Sequence, residues 1–148
     1  MTFDIGIRSE KEACEAGYTF EPTHPGTRRG IGASITVRGP RSEAARAFAQ
    51  AKMNELRDRQ DQSRVPLRPS IAEVEANLIE TAVMYTMDWS GFTDAGVPVP
   101  FSPAAARALY TRQETLRDQV LEKAGEIANF LKFPGDDGMQ VAAAAVEQ

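Results

Sequence analysis

Apolar and polar positions change their spacing twice along this chain. Phe3, Ile5 and Ile7 alternate with polar neighbours, as in a short strand, and Ser9 with Glu12 has capping-box spacing for a brief helix through Ala16 that Gly17 stops. Tyr18-Thr19-Phe20 then reads as a strand, and His24-Pro25-Gly26-Thr27 as a turn, with Pro fixing φ and Gly permitting a positive φ. Beyond the turn, Ile31, Ala33, Ile35 and Val37 alternate with Gly32, Ser34, Thr36 and Arg38, the period-two pattern of a half-buried strand. The two strands predict a β-hairpin, and one face of it needs cover because an isolated hairpin is marginal in water.

Gly39-Pro40 ends the alternation, and helical spacing takes over. Ser42 is placed to cap a helix running to about Arg59, with Ala45, Phe48, Ala49, the stem of Lys52, Met53 and Leu56 on one stripe. Pro66 and Pro69 forbid its continuation and leave a basic linker with Arg64 and Arg68. Ser70 and Glu73 form a second capping box, opening a helix in which Ile71, Val74, Leu78, Ala82 and Tyr85 recur until about Met87. Asp88 to Pro100, with Gly91, Gly96 and Pro98, reads as a loop whose tight turn is Asp94-Ala95-Gly96. Ser102-Pro103 opens a short helix to about Tyr110. Thr111 with Glu114 then opens a last one, on which Leu116, Val120, Ala124, Ile127 and Leu131 share a face that Phe130 and Phe133 broaden, ending before Pro134. After Gly135 little is large enough to bury, so a flexible or weakly helical tail is expected. The predicted class is α+β: a small N-terminal β-hairpin or sheet followed by a mostly helical bundle of three to four helices. One domain is expected over residues 1–135, with a hairpin region 1–40 and a helical region 41–135, and a tail over 136–148.

At 148 residues with a hydrophobic fraction of 42%, the chain suits a single soluble domain. Its longest apolar run, Val141 to Val146, is far short of the ~20 residues of a membrane span, and Met1-Thr2-Phe3-Asp4 lacks a basic leader, so a cytoplasmic protein is expected. Cys14, the single cysteine, excludes an internal disulfide. The net charge of -4 hides an asymmetry: residues 1–27 carry -3, residues 28–68 carry +6 and residues 69–148 carry -7. A basic middle and an acidic end can steer a charged partner, attract each other within the fold or between copies, or simply face solvent.

Catalytic chemistry finds no foothold. His24, the only histidine, sits in a turn without an acidic or nucleophilic neighbour at motif spacing, and Cys14 lies between Glu12 and Glu15, whose charges oppose a thiolate. Gly30-Ile31-Gly32 lacks the third glycine and following helix of a phosphate loop, and Asp136-Asp137 lacks the alternating ligands of a calcium loop. No enzyme, cofactor or metal is expected. Arginines 28, 29, 38, 41, 46, 57, 59, 64 and 68 cluster in sequence, but an acidic chain without interleaved aromatics weighs against nucleic-acid binding.

The feature left over is aromatic. Met87-Asp88-Trp89-Ser90-Gly91-Phe92 and Pro100-Phe101-Ser102-Pro103 place the only tryptophan and two phenylalanines in the predicted loop, either as anchors onto the core or as groups that a partner buries. These blocks, with Glu15-Ala16-Gly17, His24-Pro25-Gly26-Thr27 and Gly39-Pro40-Arg41-Ser42 before them and Leu116-Arg117-Asp118-Gln119-Val120 and Ala128-Asn129-Phe130-Leu131 after, occur in the order seen in phage tail assembly chaperones of long-tailed bacteriophages, which the chain resembles over roughly residues 12 to 133. The resemblance implies a non-enzymatic protein that binds the tape measure protein, keeps its long apolar helices soluble and helps recruit tail tube subunits. It also implies action in the host cytoplasm, absence from the finished virion and, in many members, a longer frameshifted form. Trp89, Phe92 and Phe101 are the expected partner-binding residues, with Leu109, Tyr110 and Phe130 as neighbours. The alternative is a structural tail component, a tube-end or completion protein, retained in the particle. Self-association is expected to be available to a hairpin and amphipathic helices with a limited core.

Overall fold

The computed structural model describes residues 9–131, so the strand expected at Phe3, Ile5 and Ile7, Phe133, and the tail after Gly135 lie outside the described residues. Ser9 Oγ accepts a hydrogen bond from the Glu12 amide at 3.1 Å and starts helix α1, Glu10–Ala16. Gly17 ends it at φ +87°, where a Cβ would stand 2.8 Å from Met87 Sδ. Strands β1 (Tyr18–Phe20) and β2 (Ser34–Val37) pair antiparallel, with Tyr18 opposite Val37 and Phe20 opposite Ile35. The alternation holds where it matters: Ile35 and Val37 are fully buried. The strand starts later than its pattern suggests, because Gly32 turns at φ +81° and leaves Ile31 outside. In the connecting turn His24 Nδ1 accepts from the Gly26 amide at 3.0 Å, a local turn bond.

A third strand corrects the expected loop. Residues Thr86–Ser90 form β3 and pair antiparallel with β2, giving the order β1-β2-β3, with Trp89 opposite Ile35 and the Ser34 and Ser90 hydroxyls 2.8 Å apart. The strand follows helix α3 (Ile71–Tyr85) without a breaker, since the Thr86 amide still bonds the Ala82 and Val83 carbonyls. A minimal hairpin, β4 (Thr93–Asp94) and β5 (Val97–Pro98), then turns at Ala95 and Gly96, the expected site, with φ of +50° and +83°.

Helix α2 spans Glu43–Gln62. Its N-terminus is held by Ser42 Oγ on the Ala45 amide and by the Glu15 carboxylate, which accepts from the Glu43 amide at 2.6 Å. Negative oxygens there satisfy free amides and complement the helix dipole. Helix α4 (Pro103–Arg112) begins at Ser102 as expected but runs past Tyr110: the Thr111 hydroxyl bonds back to the Arg107 carbonyl instead of capping the next helix. Helix α5 (Glu114–Gly125) starts without a side-chain cap. It also stops short of Leu131, giving way after Gly125 to a 3-10 turn, Ile127–Asn129, that swings Phe130 into the core.

The core lies where α3, α4 and α5 meet one another and the sheet, and includes Phe20, Ile35, Val37, Ala82, Trp89, Tyr110 and Val120. The described residues thus form an α+β fold, a small antiparallel sheet with five α-helices. Gln119 ties α5 to the first turn, donating to the Thr23 carbonyl at 2.9 Å and accepting from the Thr23 amide at 2.8 Å. Helix α2 departs from the expected packing. Of its apolar stripe only Ala45 is buried, while Met53 and Leu56 remain more than half exposed.

Candidate functional site

Pairing of β3 with β2 fixes Trp89 at the edge of the core, 8% exposed. Gly91 then reverses the chain at φ +85°, so close to the Gly32 carbonyl and Ala33 that a Cβ would lie within 3 Å of both. This close approach brings Phe92 back onto the indole, with ring centroids 4.9 Å apart. Phe101, just before α4, meets the indole edge-on at 5.3 Å between centroids. The indole Nε1 donates to the Val99 carbonyl at 2.9 Å, and the Val99 amide donates to the Phe92 carbonyl at the same distance. The aromatic ends of the segment are therefore stitched to one another, with the β4-β5 turn projecting between them.

Beside this cluster opens a pocket of about 270 Å³. Trp89, Phe92 and Val99 form one wall, and Ala105, Ala108, Leu109 and Arg112 of α4 form the other, with Asp94 and Gln113 at the rim. The α4 residues stand at i, i+3, i+4 and i+7, one face of the helix, and the small alanines keep the space open. Asp94 and Arg112, both exposed, are the charged residues of the lining, one of each sign.

Of the six residues singled out from sequence, Trp89, Phe92 and Leu109 share this pocket, and Phe101 supports Trp89. Tyr110 is fully buried on the opposite side of α4, its hydroxyl 2.7 Å from Thr86 Oγ1, and burial pushes its pKa up to about 12. Phe130, 5% exposed, packs edge-on against Tyr18 at 6.1 Å. Asp94, a turn residue in the sequence reading, completes the lining with Val99, Ala105, Ala108, Arg112 and Gln113, and the spacing on α4 is the signal of it that the sequence carries.

Cys14 and the Glu80–Arg107 pair lie outside the pocket. Cys14 is buried, which pushes its thiol pKa up, and among the described residues no group of three metal-ligating side chains comes together. Arg107 donates to both Glu80 oxygens, at 2.6 and 3.1 Å, clamping α4 to α3 and holding the Glu80 carboxyl below its usual range. No helix of the described residues is long and apolar enough to cross a membrane.

Fold and site together define a small α+β protein whose one-sided helix α4 and sheet edge hold open an apolar, aromatic-walled pocket. Residues 41–137 match the model of the YdaY prophage protein family, and the chain belongs to that family, a phage-derived protein. The matched stretch contains α2 to α5 and the whole of the pocket. No curated protein and no solved structure matches the chain.

Proposed function

We propose that this prophage protein is a tail assembly chaperone. It binds the tape measure protein in the host cytoplasm without chemistry of its own, shields apolar helix faces of that partner, and helps bring tail tube subunits to it before leaving the assembled tail. The observation that carries this reading is the pocket beside Trp89. At about 270 Å³ it lies at the lower edge of small-molecule sites, but it is roomy enough for an apolar side chain or two from a docking helix. An aromatic and aliphatic lining suits such a buried apolar anchor. The ordered sequence blocks described above, which resemble tail assembly chaperones, support the choice of partner.

The test is co-expression with the tape measure protein encoded by the same prophage. The chaperone reading expects the tape measure protein to become soluble and to co-purify with this chain. Ala108→Glu plugs the pocket from an exposed helical position, next to Arg112 one turn on, and removes nothing from the core. It is expected to abolish both effects while leaving the circular dichroism spectrum unchanged. A tape measure protein that stays insoluble beside the unmodified chain, or one rescued equally well by Ala108→Glu, overturns the proposal.

A further inference from the structure

Helix α2 and the N-terminal half of α3, whose C-terminal half belongs to the core, form an antiparallel hairpin, joined across their facing sides by Lys52 Nζ to Asn77 Oδ1 at 3.4 Å and by Arg59 to Glu73 at 3.8 Å. Those two contacts fix which way each helix faces. At about 100° per residue, Met53 and Leu56 then lie to one side of the α2 seam, and Ile71, Val74 and Leu78 to one side of the α3 seam. In an antiparallel pair these are the same side. The hairpin therefore carries one continuous apolar face, with Ile71 79% exposed, Met53 56% and Leu56 54%. Most of the large apolar side chains left exposed among the described residues belong to this face. Two helices cannot cover it themselves, and a bundle needs a further pair.

Charge shows which pair fits. Along the outer edge of the face, α2 presents Arg46 and Arg57, whereas α3 presents Glu75 and carries no basic residue anywhere along its length. The cross-links between residues 52 and 77 and between 59 and 73 place Glu75 at nearly the height of Arg57 along the hairpin. We propose that this face is the contact between two copies of the chain, related by a two-fold axis running along the hairpin. That axis lays α2 of one copy over α3 of the other, so apolar face meets apolar face and Arg57 of each copy meets Glu75 of the other at the rim. An axis across the hairpin lays α2 on α2 and brings arginines together, and the charges disfavour it. The contact is isologous, four-helical and remote from the pocket.

The experiment is sedimentation of the full chain over a concentration series, with Val74→Glu, Arg57→Glu, Glu75→Arg and the double charge swap in parallel. A dimer is expected for the unmodified chain. Val74→Glu, placed twice in a two-fold interface, is expected to raise the dissociation constant by at least about 30-fold. Each single charge reversal is expected to weaken the dimer, and the double swap to restore it. Circular dichroism checks that the exposed substitutions leave the fold intact. A monomer at all concentrations overturns the proposal, as does a dimer indifferent to Val74→Glu; a double swap no better than either single reversal overturns the stated axis. Ala108→Glu leaves the mass unchanged, so failure of the dimer and failure of the chaperone reading are read separately.

Discussion

Tyr110→Phe tests the buried centre of the fold at a single atom. The Thr86 hydroxyl donates its one proton to the Ala82 carbonyl at 2.8 Å, so in the 2.7 Å contact between the two side chains Tyr110 must be the donor. Removing the phenol oxygen deletes that bond but leaves Thr86 satisfied as a donor, so the cost at neutral pH is about 1 kcal/mol. Alkaline pH reverses the order. The phenol titrates near its ordinary value of 10 in the unfolded chain and at about 12 in the folded one, because burial disfavours the charged form. A raised folded pKa gives a contribution that is complete below pH 10 and lost as the pH climbs towards 12. At about 1.4 kcal/mol per unit, the loss reaches roughly 3 kcal/mol, and it overtakes the hydrogen bond near about pH 11. Urea unfolding followed by circular dichroism at fixed pH steps is expected to show the unmodified chain more stable at pH ~7, and the phenylalanine variant more stable beyond the crossing. Lysine and cysteine titrations are common to both proteins and cancel in the difference. Curves that stay parallel across the alkaline range refute the argument, because burial would then not be holding the phenol neutral.

Gly91→Ala forces a Cβ against the Gly32 carbonyl oxygen at 2.8 Å at a φ of +85°, so a loss of about 2 kcal/mol or more and a collapse of the Phe92 to Trp89 contact are expected in thermal unfolding. Trp89→Phe keeps an aromatic ring but loses the pyrrole half of the indole and its bond to the Val99 carbonyl, with an expected cost of about 2–3 kcal/mol in denaturant titration. Because Trp89 is the only tryptophan and lines the pocket, its fluorescence is expected to shift when the tape measure protein binds the unmodified chain and to stay unchanged in Ala108→Glu. Glu80 has a folded pKa below its ordinary 4.5, owing first to the Arg107 hydrogen bond, so its contribution is present above that value and lost as the pH falls through the lowered one. Glu80→Gln is expected to flatten part of the acid limb of the stability curve, and an unchanged limb counts against the clamp.

Local chemistry made much of this molecule legible from its residues. Ser9, Ser42, Ser70 and Ser102 each begin a helix where an N-cap was expected, because a cap satisfies amides within three residues and needs nothing from elsewhere. The turn at Ala95 and Gly96 and the β1–β2 hairpin follow from equally short-range rules. The last two helices are less legible. Thr111 had a choice between capping α5 and bonding back into α4, and only packing of α4 on α3 decides it.

What tertiary structure alone decided is strand β3, and with it the pocket. Trp89 reads as a loop residue when only its neighbours are considered, because the partner that makes it a strand residue lies on β2: the Ser34–Ser90 pair beside it spans 56 positions of chain. That α2 and α3 each have an apolar face is legible from the residues alone. Spacing reports that such a face exists but not what covers it, since burial depends on which surfaces the folded chain can bring to it, and this fold leaves Met53, Leu56 and Ile71 more than half exposed.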